Sequence, residues 1–238
     1  MNTVVSRPPS QPELPFEADR SAVRVERAPE ARATLRDVDA SDTARRIASR
    51  VRLRDRERSA AGRALAEAER LGLARDLIDS PVGPMLAIAG EPGLHSLWFL
   101  DADHGLAPVL DPASAGARWI AQARLELAAY FEGRLRRFEV PLAPRGTPFQ
   151  EDVWRRLLAI DCGTTTSYGC IARDIGRPNA FRAVGLAVGR NPISILVPCH
   201  RVIGENGTLT GYAGGLPRKR FLLGLELRAD TLPIASEA

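Results

Sequence analysis

The hydrophobic pattern of the chain sharpens near residue 78. Turn-forming Asp79-Ser80-Pro81-Val82-Gly83-Pro84 precedes an apolar run over 85–89, and Gly90-Glu91-Pro92-Gly93 makes a second turn before the run 94–100. Short apolar runs bounded by Gly and Pro predict two strands joined by a tight turn. Over 115–131 the residues Trp119, Ala123, Leu125, Leu127, Tyr130 and Phe131 form an apolar stripe that predicts an amphipathic helix, closed by Gly133. Residues 138–142 read as one more strand.

A second unit starts at Thr147. Thr147 is placed to cap a helix whose first residue is Pro148, with Phe149, Val153, Trp154, Leu157 and Leu158 as its buried stripe. Ser167 caps a short helix over 168–175, Gly176-Arg177-Pro178 breaks it, and another helix follows over 179–188. Two short helices around a Gly-containing turn are a helix-turn-helix pattern, which many proteins that never meet DNA also carry.

Before residue 78 the pattern is weak. Residues 1–40 are rich in Pro, Arg, Glu and Asp without periodicity, a disordered composition. Residues 41–75 are rich in Ala, Arg and Glu with a thin apolar stripe, and read either as a mobile, partly helical arm or as a basic arm that adds loose DNA contacts. The whole predicts an α+β chain: a basic extension over 1–75, a small β-sheet and helix domain over 76–146, a helical domain over 147–228, and a flexible tail over 229–238.

Composition adds three points. No stretch approaches the roughly 20 apolar residues of a membrane span, and the N-terminus lacks a signal-peptide core, so a cytoplasmic location and no membrane partner are expected. Cys162, Cys170 and Cys199 are an odd number without CxxC spacing, which argues against a disulfide framework and against a metal module. Residues 147–228 hold 11 Arg and Lys against 6 Asp and Glu, a net of +5, the part of the chain best suited to a polyanion. Nearly all the positive charge is arginine. Lys219 is the only lysine, and we read this bias as carrying no functional weight.

The candidate chemistry lies in Asn191-Pro192-Ile193-Ser194-Ile195-Leu196-Val197-Pro198-Cys199-His200-Arg201-Val202. An apolar run delivers a thiol to the end of a buried element, beside a base and a cation. A free thiol titrates near 8.5, so a neighbouring base or charge is needed to raise its thiolate fraction. Taken alone, the same pair is also what a structural cysteine beside a core histidine looks like.

Pro198-Cys199-His200-Arg201-Val202, followed by Gly211-Tyr212-Ala213-Gly214-Gly215-Leu216 and a helix ending Leu222-Leu223-Gly224-Leu225-Glu226, resembles the methylated-DNA–protein-cysteine methyltransferases, the O6-alkylguanine-DNA alkyltransferases. Thr147-Pro148-Phe149-Gln150, Ser167-Tyr168-Gly169, Arg182-Ala183-Val184-Gly185 and Asn191-Pro192 extend the resemblance, which runs from about 79 to 226. It implies a three-stranded-sheet N-terminal domain and a helical C-terminal alkyltransferase domain carrying the helix-turn-helix and the cysteine turn.

The resemblance implies roles. Cys199 is the alkyl-accepting nucleophile, His200 the base acting through a water, Glu226 the carboxylate orienting the imidazole, and Asn191 a hinge tying the site's backbone. Tyr168 contacts a flipped base and supplies a proton to the departing guanine. Arg182 fills the vacated base stack, with Ala180 and Phe181 beside it at the DNA. The carbonyls of Cys199 and Val202 read the guanine amine, the Ala213 amide meets O6, and Tyr212 and Gly214 complete the pocket. The partner is double-stranded DNA, met by a monomer through the minor groove almost independently of sequence. The reaction needs no metal or other cofactor and consumes the protein. Phe181, Gly211 and Val188 depart from the family pattern. Two other readings fit part of the chain: a non-catalytic lesion-recognition or helix-turn-helix DNA-binding protein, and a cysteine hydrolase, for which adjacent Cys and His are the wrong signature.

Overall fold

A computed structural model describes residues 65, 67–100 and 114–229. The disorder expected over 1–40, most of the arm expected over 41–75 and the tail beyond 229 lie outside the described residues. Strands β1 (Ala74–Ile78), β2 (Met85–Gly90) and β3 (Gly93–Phe99) form an antiparallel sheet in the order β1-β2-β3. The hairpin read from the sequence is β2–β3, closed by the pair Gly90 and Gly93. Gly93 has a φ of 146°, and a Cβ there would fall 2.4 Å from the Pro141 carbonyl oxygen, so only glycine fits this turn.

Sequence reading missed β1. Its alternation is short, and two of its five residues, Arg75 and Asp76, are charged. Asp76 is nevertheless nearly buried, because Arg124 reaches it at 2.5 Å. One sheet face, with Ile78, Met85, Ala87, Leu94, Leu97 and Phe99, joins the main core. The other face, Leu86 and Ile88, is covered by Ala68 and Leu100. Residues 67–71 are helical, so part of the expected arm packs on the sheet.

Helix α1 (Ala117–Phe131) crosses the main-core face and buries Ala117, Ile120, Ala123, Leu127 and Tyr130. Leu125, expected in this stripe, is 73% exposed. Lying two residues from both Ala123 and Leu127, it points about 200° away from the buried line. The strand expected over 138–142 does not form. Leu142 makes a single bridge to Leu94, and Pro141, which has no N–H to give a ladder, only accepts from the Leu94 amide at 2.8 Å.

Helix α2 (Pro148–Leu158) begins with a full capping box, in which the Thr147 hydroxyl accepts from the Gln150 amide and the Gln150 side chain accepts from the Thr147 amide. It buries Val153, Trp154 and Leu157. Strand β4 (Thr166–Ser167) leads into α3 (Tyr168–Asp174), capped by Ser167 as expected, and Gly176 at φ 70° turns the chain toward α4 (Phe181–Gly189). Trp154 donates to the Ala187 carbonyl at 2.9 Å and so locks α2 to α4. Val188, one of the departures from the family pattern, lies inside α4 and is buried, which accounts for an apolar residue there. Strand β5 (Val202–Ile203) pairs in parallel with β4, and α5 (Leu216–Ala229) closes the described chain. The result is a mixed α/β fold with one small antiparallel sheet. Among its described residues no helix is long and apolar enough to cross a membrane.

Candidate active site

The residues before the thiol are held from two sides. Leu97 of β3 donates its amide to the Pro192 carbonyl at 2.9 Å and accepts from the Ser194 amide at 2.8 Å. Asn191 closes the other side: its amide nitrogen donates to the Val197 carbonyl at 2.8 Å and the Ile193 carbonyl at 3.2 Å, and its oxygen accepts from the Ile193 amide at 3.0 Å. Between these anchors Ile195, fully buried, sits at φ 70°. A β-branched residue in that region is strained and persists only where its surroundings over-determine it. The strained run ends at a 3-10 turn, Cys199–Arg201, that presents the thiol.

Cys199 Sγ, 5% exposed, accepts a third hydrogen bond from Asn191 at 3.0 Å. Burial raises the thiol's pKa. The Asn191 hydrogen bond, the Lys219 charge and the backbone N–H of His200 work against that rise. Lys219 is itself fully enclosed, with Nζ donating to the Val202 carbonyl at 2.5 Å and the Thr210 carbonyl at 3.2 Å. Burial lowers its pKa to about 8, against the pull of Cys199. The only lysine of the chain is therefore near enough to the thiol for the two charges to act on each other.

His200 has no exposed surface. Its Nε2 lies 2.7 Å from Glu226 Oε1, while Nδ1 makes no hydrogen bond to the described protein. Burial lowers the pKa of His200 despite the neighbouring carboxylate, so the ring is neutral at pH 7. Burial also works against the Glu226 charge. The basic groups beside it, His200 and Arg201, overcome that and hold its carboxyl far below the usual carboxylate range. With His200 neutral, the standing counter-charge is Arg201. Its Nε donates to Oε2 at 3.0 Å, its NH2 to Oε1 at 2.9 Å and its NH1 to the Ile160 carbonyl at 2.5 Å. The Gly163 amide and the Tyr130 hydroxyl also donate to the carboxylate, at 3.2 and 2.8 Å.

The structure thus brings Asn191 onto Cys199 and His200 onto Glu226, with Tyr168 near enough to feel the Cys199 charge. Tyr168 is half-buried. Its hydroxyl lies 2.9 Å from the Thr210 hydroxyl. Burial raises the pKa of the phenol, and the electrostatic influence of Cys199 adds to the rise. Arg182 and Phe181 lie apart from this cluster, exposed at the start of α4 with Ala180 just before them. Arg182 rests over the Phe181 ring, 5.6 Å from its centroid, and Phe181 is 49% exposed. Gly214 is small because of its neighbours inside the protein: a Cβ would stand 2.7 Å from Phe99 and 2.8 Å from Tyr212. The rings of Tyr212 and Phe99 meet edge to face at 6.3 Å, and Arg218 covers Phe99 while donating to the Val82 carbonyl at 2.8 Å. The sheet therefore supports the loop that holds Ala213.

Three residues escaped sequence reading as site residues: Tyr130, Thr210 and Lys219, which reach the site only through the fold. Arg201, read as a cation beside the thiol, instead bonds Glu226.

What the arrangement offers chemically is one thiol, a neutral imidazole fixed by an ionised carboxylate, and a phenol nearby. Residues 148–228 match the family model described as 6-O-methylguanine DNA methyltransferase, DNA binding domain, and residues 73–144 match the ribonuclease-like domain of 6-O-methylguanine DNA methyltransferase. The chain belongs to the methylated-DNA–protein-cysteine methyltransferase family. It is 51% identical to the enzyme of that name from Methanosarcina mazei over 150 residues, covering 63% of this chain and 94% of the relative. The Mycobacterium tuberculosis enzyme of the same name is 50% identical over 149 residues, 63% of this chain and 89% of the relative. Among solved structures, that of Mycobacterium tuberculosis OGT in complex with DNA aligns with a TM-score of 0.58 at 48% identity, over 66% of this chain and 94% of the other.

Proposed function

We propose that this protein repairs DNA by moving the alkyl group of O6-alkylguanine onto its own Cys199, once per molecule. The observation that carries this reading is the divided imidazole of His200. Its Nε2 is taken by an ionised Glu226, which leaves the buried Nδ1 as the only nitrogen able to accept the thiol's proton, through a bridging water. The thiolate attacks the alkyl carbon in line, the S–C bond forms as the C–O6 bond breaks, and the electron pair leaves on guanine. Tyr168 or a water protonates the departing base. The Lys219 charge favours the thiolate over the thiol. A thioether is not cleaved under cellular conditions, so no turnover follows, and the transfer requires no metal or other cofactor.

Asn191 serves as the clamp that holds Ile195 strained and the thiol presented. The pair α3 and α4 acts as a helix-turn-helix that enters the minor groove with little regard for sequence, with Ala180 and Phe181 at the DNA and Arg182 in the gap left by the flipped nucleotide. The exposure of Phe181 and Arg182 at the start of α4 supports this placement. The carbonyls of Cys199 and Val202 read the guanine amine. The Val202 oxygen already accepts from Lys219 and has one lone pair left to do so. Ala213, Tyr212 and Gly214 wall the pocket. The division into an extension (1–75), a sheet domain (76–146), an alkyltransferase domain (147–228) and a tail (229–238) accompanies this reading, as do a monomeric state and a cytoplasmic location. A lesion-flagging protein without catalysis has no use for a thiol so prepared.

The test is to incubate the full chain with duplex DNA containing O6-methylguanine and weigh the intact protein. One methyl increment, mapped to the Cys199 peptide and absent in Cys199→Ala, is expected. No increment, or lesion clearance by Cys199→Ala, overturns the proposal.

A further inference from the structure

Tyr130 sits on α1, 96 residues from Glu226 in the chain, yet its hydroxyl donates to Glu226 Oε1 at 2.8 Å with both groups buried. Its ring is fixed by Phe131 and Phe138, each with ring centroids 5.4 Å away, so the hydroxyl has little freedom to leave. The same oxygen, Oε1, faces His200 Nε2 at 2.7 Å and Arg201 NH2 at 2.9 Å. A carboxylate oxygen offers about two lone-pair directions. With a long 3.3 Å contact from Arg201 Nε added, four donor atoms from three residues compete for one oxygen, and what Tyr130 takes is withdrawn from the bond to the imidazole. Oε2, by contrast, takes only Arg201 Nε and the Gly163 amide.

We infer that Tyr130 is a positioning residue for alkyl transfer, its hydroxyl setting how strongly Glu226 holds His200 and tying the reacting centre to the helix that covers the sheet. The inference rests on the function proposed above. Its physical content is a trade. A donor that disperses the carboxylate charge makes Glu226 a weaker acceptor, so the imidazolium form of His200 is less favoured and the ring stays a neutral base to lower pH. Burial and the Glu226 charge push the Tyr130 phenol well above its ordinary range, which keeps it a donor wherever the reaction runs. The other titratable or charged groups facing this pair are Arg201 beside it, Lys219 on α5, Cys162 before β4, and Cys199 itself. Of these, Arg201 shares Oε1 with the phenol, and it stays a cation when the phenol oxygen is removed.

The experiment compares the native chain with Tyr130→Phe, which keeps the ring, and with Phe138→Leu, which thins the packing around that ring and leaves the hydroxyl. Two quantities are read: the single-turnover rate of methyl uptake at Cys199 against pH, and the titration of the His200 ring protons by NMR, which needs no DNA. In Tyr130→Phe both the acid limb of the rate and the His200 titration move to higher pH by about half a unit, the share of one neutral hydrogen bond that reaches the imidazole. The plateau rate stays within about threefold, since nucleophile and base are intact. In Phe138→Leu the urea midpoint falls and neither limb nor titration moves. Coincident curves for Tyr130→Phe and native protein, a shift to lower pH, or an equal shift in Phe138→Leu each overturn the inference. A native chain that takes up no methyl while the His200 titration still moves in Tyr130→Phe removes the proposed function and leaves the Tyr130–Glu226–His200 coupling in place.

Discussion

Replacing Glu226 by Gln tests the centre of the site with the smallest change of shape. The native carboxylate is buried and takes donors from Tyr130, His200, Arg201 and the Gly163 amide, at 2.7 to 3.3 Å. The variant keeps one acceptor and puts an NH2 where the other oxygen stood. Whichever way the amide turns, that NH2 faces Arg201 and at least one further donor. Arg201, 5% exposed, is left as a buried cation with no counter-charge here, its remaining partners the one amide oxygen and the Ile160 carbonyl. Breaking a buried ion pair from one side costs about 3–5 kcal/mol. At roughly 2–4 °C per kcal/mol for a domain of this size, the melting temperature falls by about 6–20 °C. His200 loses the charge that fixes its tautomer and favours its protonated form, so methyl uptake slows by at least about 100-fold, the lower end of what a positioned acid–base group supplies.

Two further measurements separate this effect from general damage. The Glu226 carboxyl titrates far below its unfolded range, so the stability it contributes is present above about pH 4.3 and is lost as pH falls toward its native value. The stability gap between native protein and Glu226→Gln, read from urea midpoints, therefore narrows below about pH 4.3. In the double variant Glu226→Gln/Arg201→Met no orphaned cation remains, and part of the lost stability returns while the rate does not. A melting temperature within about 1 °C of native and a rate within about threefold, at full occupancy of the variant, would refute this role for Glu226.

Lys219 gives an opposite pH signature. Its native pKa of about 8 lies below the ordinary 10.5, so between those values the unfolded chain binds more protons and stability rises with pH. The difference in urea stability between native protein and Lys219→Met should climb across that window by on the order of 3 kcal/mol at most, at about 1.36 kcal/mol per pH unit, and a flat difference would show the ammonium to be solvated. For Arg182→Ala, repair of O6-methylguanine in duplex DNA is expected to fall by at least about tenfold and uptake from free O6-methylguanine to stay near native, because only the duplex has a stack to fill; equal losses on both substrates would remove the flipping role.

The parts of this fold that were legible in the sequence are those fixed within a few residues. Thr147-Pro148 and Ser167 announce helix starts because a cap bonds an amide three residues on, and the β2–β3 turn is written in Gly90 and Gly93. The parts that failed depend on distant partners. β1 hides because Arg75 and Asp76 look like solvent-facing charges until Arg124 of α1 supplies the partner that lets Asp76 be buried. Leu125 and the stretch 138–142 fail the other way, apolar on paper but turned outward by helical geometry or denied a ladder by Pro141.

The site divides along the same line. Cys199 and His200 are adjacent, and a short motif exposes them. The groups that set their protonation are Glu226 and Lys219 from α5, Asn191 from the preceding loop, and Tyr130 from α1, 69 residues before the thiol in the chain. A thiol at the end of a strained run has no reactivity of its own under burial, which favours the neutral form. Reactivity has to come from charges that other elements carry inward, and each such charge must be balanced where it lands: Glu226 by Arg201, Lys219 by the Val202 and Thr210 carbonyls. The adjacent pair names the reagent, while the fold decides whether it is armed. On that ground a loss of reactivity is expected from changes at α5, and a shifted pH dependence from changes at α1, that leave the Cys-His motif untouched.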